Sequence, residues 1–187
     1  MMEVLLGPLG TTNIVHCQLD PASLESTCTS AVSKLAFANG LEYIASTNEV
    51  ISAETTRGRV TRYPVLPGGK LDVANSHSLY FGMALDNVRR VPGTRDFVVA
   101  TFPDLERLFP ALKSPASYKG TVPARALYVR ESNDYSHEQV IYNDDGQVLS
   151  FVTGYLYAQG AGKLLGGSVL YEGLLVCKVD PKVIGDA

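Results

Sequence analysis

The chain has 187 residues, 45% hydrophobic and 19% charged, with 16 Lys+Arg against 19 Asp+Glu and no Trp. This composition excludes disorder and collagen, and the length suits a single domain able to bury a core. A net charge of -3 without a basic stripe gives no electrostatic support for a nucleic-acid surface, so nucleic acid is not an expected partner.

The first residues, MMEVLLGPLG, lack a basic leader and carry only a short apolar run. Neither a secretion signal nor a membrane span is expected there. The compartment stays open, with secretion expected only if a signal lies upstream. Short runs rich in Val, Ile, Leu, Tyr and Thr, punctuated by Gly, Pro, Asn and Asp, then recur along the chain. They predict strands over Asn13–Leu19, Ser33–Ala38, Tyr43–Ile44, Val50–Glu54, Arg59–Pro64, Leu79–Leu85 and Phe97–Thr101. One helix is predicted over Leu105–Lys113, with Asp104 as N-cap and Pro115 closing it. KSPASYKGTVP reads as a surface loop, followed by strands over Arg125–Val129, Gln139–Tyr142, Val148–Leu156, Leu164–Leu170 and Gly173–Val179.

Self-similarity sets the architecture. SKLAFANGLEY, LYFGMALDNVR and QVLSFVTGYLY each place an apolar run ahead of a small or polar terminus. Asn39 and Asn87 are 48 residues apart, the length of one four-stranded blade, and Asn87 and Thr153 are 66 apart, a blade carrying the helical insertion. The expectation is an all-β fold: a partial β-propeller of about three four-stranded blades, with one short helix in an insertion. It forms a single domain over 1–187, divided into blade remnants 1–32, a blade 33–80, a blade 81–147 and a last blade 148–180.

Two clusters supply oxygen at strand ends, Phe37-Ala38-Asn39-Gly40 and Leu85-Asp86-Asn87-Val88. Inner propeller strands run along a central channel, so amide and carboxylate oxygens at their ends converge near one axis. Calcium takes roughly six to eight such ligands, and the Cys and His that zinc favours show no spacing here. Read from spacing alone, Asn39 and Asn87 are turn residues first, their side chains bonding to nearby backbone.

The segments AFANGLEYIASTNEVISAETTRGRVTRYPV, LDNVRRVPGTRDFVVATFPDL and GQVLSFVTGYLYAQGAGKLLGGSVLYEGLLVCKV resemble, in colinear order, the C-terminal half of the paraoxonase/arylesterase family. Those six-bladed propellers are related more distantly to gluconolactonases and strictosidine synthases. The resemblance runs from about Asn13 to Val179 and implies that Asn39, Asp86 and Asn87 match ligands of a catalytic Ca2+. It implies a calcium-dependent hydrolase of aryl esters or lactones, truncated or fragmentary and with reduced activity. A small-molecule ester or lactone would be the partner. The family's other ligands, a Glu and an Asn, and its catalytic histidines belong to earlier blades, so no catalytic residue is assigned. Where the family commonly carries His before the Pro of the DN segment, this chain has Phe102. That departure motivates an alternative: a catalytically silent half-propeller serving binding or assembly, its open blade edges prone to self-association. A strictosidine-synthase-like fold without metal chemistry is a third reading.

Other polar residues read as structural. His16 and Cys17 are adjacent on a strand and point to opposite faces. His77 and His137 read as solvated loop residues, Glu54 as solvent-facing, and Asp144-Asp145-Gly146 as a hairpin turn. Gly160-Ala161-Gly162 and Gly166-Gly167 read as turn and packing positions. Three cysteines are too few for a disulfide scaffold and leave at least one thiol unpaired unless it bridges to another chain. The resemblance implies that Cys177 is reduced, because its family partner sits near the start of the full ring.

Overall fold

A computed structural model describes residues 10–184 apart from 116, 119 and 133, so the N-terminal stretch 1–9 and parts of the 113–123 loop lie outside the described residues. Among the described residues thirteen strands form four antiparallel sheets, each built from consecutive strands. The first is a hairpin of β1 (Thr12–Leu19) and β2 (Ser26–Leu35). The second runs β3 (Ala38–Ile44), β4 (Glu49–Glu54), β5 (Arg59–Pro64) and β6 (His77–Tyr80). The third runs β7 (Ala84–Arg90), β8 (Phe97–Phe102), β9 (Ala124–Val129) and β10 (Glu138–Asp144). The fourth has β11 (Val152–Ala158), β12 (Lys163–Ser168) and β13 (Leu174–Lys178). β7 packs against β3 on one side and β11 on the other, so the first strands of the three larger sheets stand side by side. As expected, the described residues form a partial β-propeller, with two four-stranded blades, a three-stranded blade and a two-stranded hairpin.

Burial explains the strand sequences. The middle blade is covered on both faces, and β8 (FVVATF) is buried at every position. Phe97 and Val99 pack with Ile44, Ile51, Val60 and Leu85, whereas Val98 and Ala100 join Tyr155, Tyr157, Leu164 and Leu175 on the opposite side. A sheet buried on both faces requires this near-continuous apolar run, and each fully buried large side chain contributes roughly 1.5–3 kcal/mol. In the last blade, β13 instead alternates, with Leu175 buried between exposed Leu174 and Val176.

Helix α1 (Leu105–Lys113) forms where predicted; the Asp104 side chain accepts from the Arg107 N–H at 3.1 Å. Its buried Leu108 and Ala111 press on Ala84, Phe102 and Phe151, so the helix lies across the ends of the middle and last blades. A second, one-turn helix, α2 (Pro181–Ile184), packs against β10. Among the described residues no helix is long and apolar enough to cross a membrane.

Several expected boundaries are corrected. The apolar run Ser33–Ala38 is not one strand: Phe37 adopts φ 58°, turning the chain from the outer end of β2 to the inner start of β3. Leu79–Leu85 likewise breaks between β6 and β7, at a bend where Gly82 takes φ 67°. Val148–Leu156 breaks at Phe151, φ 58°, immediately before β11. In each case hydrophobicity continues through the crossing between blades because the crossing is itself packed. Asp144-Asp145-Gly146 is such a crossing and not a hairpin turn, since β10 and β11 belong to different sheets. The Asp144 carboxylate accepts from the backbone N–H groups of Gln147, Val148 and Leu149 and fixes that bend.

Cys17 and Cys28 face each other across β1 and β2 and form a disulfide, while Cys177 is a free thiol. The β1–β2 hairpin packs through Ile14, Val32 and Leu35 onto Tyr63.

Candidate functional site

The site is assembled at the starts of the inner strands. Asn39 is the second residue of β3, and Asp86 and Asn87 are the third and fourth of β7. They therefore lie near strand beginnings rather than at the ends of apolar strands, because the crossings at Phe37 and Gly82 reset where each inner strand starts.

Close approach of β3 and β7 brings the three together. A Cβ on Gly40 would stand 2.5 Å from Val88 N and 2.7 Å from Asp86 O, so only glycine permits this spacing. Asn39 then hydrogen-bonds through its side chain to Asp86 and also donates from Nδ2 to Thr55 Oγ1 at 3.2 Å. Asn87 Nδ2 donates to Asp86 Oδ1 at 3.0 Å and to the Thr153 carbonyl of β11 at 2.9 Å. One cluster thus links the inner strands of all three larger sheets. These are bonds between distant parts of the chain, with separations of 16 and 66 residues for the Thr55 and Thr153 contacts, and not local turn bonds.

Asp86 is half-buried, while Asn39 and Asn87 are exposed on the open side of the arc. Burial pushes the Asp86 carboxyl up to about 7, against the opposing effect of hydrogen bonds from Asn39 and Asn87. No ion pair to Asp86 occurs among the described residues. Its partners are the two asparagines, which in turn bond the Thr55 hydroxyl and the Thr153 carbonyl.

A largely apolar cavity of about 350 Å³, lined by Phe37, Met83, Leu108 and Phe109 with Thr56 and Arg57 as its polar part, reaches the cluster only through Thr55, the partner of Asn39. This volume is within the range of small-molecule sites. Phe102 is 2% exposed and packs against Phe151 in a tilted ring pair with centroids 5.0 Å apart. It is a core residue beneath α1 and supplies no proton-transfer group.

The remaining candidates lie elsewhere. His77 is in β6, paired with Arg62 at the outer edge of its blade, and not in a loop. His16 is in β1 against Gly69, and His137 is exposed with its ring against the Ser136 carbonyl. Glu54 is not solvent-facing: it is 1% exposed, bound to Arg57, Arg59 and the Ala36 N–H. Among the described residues no group of three or more His, Cys, Asp and Glu could hold a metal ion, so any cation at Asp86 relies on amide, hydroxyl and carbonyl oxygens.

Thr55 and Thr153 are the site residues that sequence reading missed. The signal for Thr153 is the repeat Phe37-Ala38-Asn39-Gly40 and Phe151-Val152-Thr153-Gly154, in which both phenylalanines take φ 58° before an inner strand. Thr153 occupies in β11 the place that Asn39 holds in β3.

No family model and no curated protein sequence matches the chain. Among solved structures, a chain of a nidogen/laminin complex aligns with a TM-score of 0.58 at 11% identity, covering 90% of this chain and 54% of that one. The Cps50 (Swd1) β-propeller domain of Myceliophteria thermophila aligns with a TM-score of 0.41 at 13% identity, covering 85% and 59%. The chain spans little more than half the length of these structures. At such identity the nidogen/laminin likeness concerns fold alone.

Proposed function

We propose that this chain forms part of the axial site of a calcium-dependent hydrolase acting on small aryl esters or lactones. The observation that carries the proposal is the Asp86 carboxylate, half-buried without a cationic side chain and held by Asn39 and Asn87, with Thr55 one hydrogen bond further out on Asn39. The donor set fits a hard divalent ion in kind: one carboxylate and neutral oxygens, without thiol or imidazole. In number it supplies three side chains, Asn39, Asp86 and Asn87, toward the six to eight oxygens that calcium takes, so water or further blades would complete the shell. Bound there, calcium would polarise an ester carbonyl and stabilise the negative charge that develops on it.

The chain's own residues would do the rest. Asn39 and Asn87 hold the Asp86 carboxylate in place, and Thr153 anchors Asn87 through its carbonyl. The neighbouring cavity would take the apolar part of the substrate, with Phe37 and Phe109 on its walls. No described histidine lies at the cluster to activate water, which supports low turnover for this chain alone. The Cys17–Cys28 bridge supports folding in an oxidising compartment.

The test is a calcium titration of thermal stability in the wild type and in Asp86→Ala, followed by phenyl acetate and lactone turnover with and without chelator. A stability gain confined to the wild type supports the site, and an identical response in both proteins removes it from Asp86.

A second reading is a catalytically silent propeller module for binding or assembly. The placement of Phe102 in the core supports it. It is distinguished by absence of turnover in a chain that still associates.

A further inference from the structure

We propose that the cavity beside helix α1 is a binding site for an apolar monocarboxylic acid, its tail lying between α1 and the β2–β3 crossing and its carboxylate on Arg57. The site is separate from the Asp86 cluster and does not depend on a cation there.

The helix carries more apolar surface than the blades cover. In LERLFPALK, Leu105, Leu108, Phe109 and Leu112 follow the i, i+3, i+4, i+7 stripe of an amphipathic helix. Leu108 is seated on Ala84, Phe102 and Phe151, whereas Leu105 and Phe109 stay 43% and 38% exposed and line the cavity with Leu112. Phe37 and Met83, from the crossings that lead into β3 and β7, supply the rest of the apolar wall. Apolar side chains left open around about 350 Å³ gain from covering by an apolar ligand, and the flexible thioether of Met83 adapts to its shape.

The polar end belongs to a fixed turn. Residues 55–58 join β4 to β5. The Thr55 N–H donates to the Phe37 carbonyl at 3.0 Å, Thr56 Oγ1 to the Ala36 carbonyl at 3.1 Å, and the Phe81 N–H to the Gly58 carbonyl at 2.9 Å. A Cβ on Gly58, where φ is 58°, would stand 2.5 Å from the Met83 carbonyl oxygen, so the turn sits directly on the β6–β7 crossing. Arg57, in this turn, is the charged residue of the cavity lining among the described residues.

Charge sets the head group. The Glu54 carboxylate is fully engaged, but Arg57 is not: its Nη1 reaches Glu54 Oε2 at 3.2 Å and the Lys34 carbonyl at 3.5 Å, and no described residue accepts from its Nε or Nη2. One carboxylate shared by Arg57 and Arg59 leaves one positive charge over, and the Arg57 side chain is 37% exposed beside an otherwise apolar cavity. The free edge of a guanidinium pairs with a carboxylate through two parallel hydrogen bonds, and a singly charged head balances what Glu54 leaves over.

Isothermal titration calorimetry of the whole chain with octanoate, octanol and acetate tests the site. Octanoate should bind at least about tenfold more tightly than octanol, acetate should give no measurable heat, and octanoate affinity should be the same in calcium and in chelator. Arg57→Gln should bring octanoate down to the octanol level; Arg59 and the Ala36 N–H still hold Glu54 in that variant, and unchanged circular dichroism checks its fold. Phe109→Glu, at a surface position of α1, should weaken octanoate at least about tenfold and decides the matter if Arg57→Gln misfolds. Asp86→Ala should bind octanoate as the wild type does. Absence of octanoate binding overturns the proposal, as does binding that octanol matches or that the folded Arg57→Gln and Phe109→Glu proteins retain in full. Octanoate binding that needs calcium and disappears in Asp86→Ala also overturns it, placing the carboxylate on the ion of the hydrolase reading instead.

Discussion

Glu54 and Asp86 stand at the same end of neighbouring blades and meet opposite surroundings. Glu54 ends β4 with both oxygens engaged: Arg57 and the Ala36 N–H hold one, Arg59 the other. Asp86 has only amides around it and no positive side chain. One carboxylate is a finished internal tie between the β2–β3 crossing and the β4–β5 hairpin. The other is left with a raised proton affinity on the open side of the arc, the condition in which an added cation would gain most.

Replacing each group sharpens this contrast. The largest effect is expected at the tie: Glu54→Gln should cost about 3 kcal/mol in urea denaturation, because the buried Glu54 charge that holds half-buried Arg59 is lost. Next is Gly40→Ala, whose Cβ would meet the backbone of β7; a loss of about 2 kcal/mol is expected, with disappearance of any calcium-induced stabilisation. A destabilised Gly40→Ala protein with a full calcium response would separate cation binding from the β3–β7 approach.

Asp86→Asn should act the other way. The carboxyl titrates near 7 when folded against 3.8 when unfolded. Between those values the unfolded chain has released a proton that the folded chain retains. The ion-free protein therefore loses stability as pH rises from about 4 to about 7, and Asp86→Asn should flatten that slope, recovering roughly 1–2 kcal/mol at pH 8. Thermal unfolding across this range checks the sign. Calcium affinity should rise over the same window, since the ion and the proton compete for one carboxylate. The smallest effect is expected from Asn39→Ala, which should reduce the calcium-induced shift without abolishing it and change ion-free stability by less than about 1 kcal/mol.

Much of the scaffold was legible from residue pattern. β5 begins and ends at Arg59 and Pro64 as expected, and α1 has the predicted bounds, because Asp104 is a strong cap signal. The crossings were not legible. Phe37 and Phe151 adopt left-handed backbone that a large side chain seldom takes, so nothing in their identity marks a break. Most of β2 was missed because STCTS carries no apolar alternation; this part of the strand is exposed and held by pairing with β1 and by the disulfide. At the site, Asn39, Asp86 and Asn87 stood out as oxygen donors, and the structure brings them together. Thr55 and Thr153 did not, since a threonine in a strand is ordinary, and one of the two acts through its backbone carbonyl.

Because every sheet is made only from consecutive strands, cutting the polypeptide at 36–37, 81–83 or 145–151 severs no ladder between strands. A gene encoding such a chain can gain or lose a blade by a single in-frame exchange without orphaning a backbone pairing elsewhere. The architecture thus lends itself to shuffling by whole blades, and covalent continuity matters less to it than the contact between neighbouring faces.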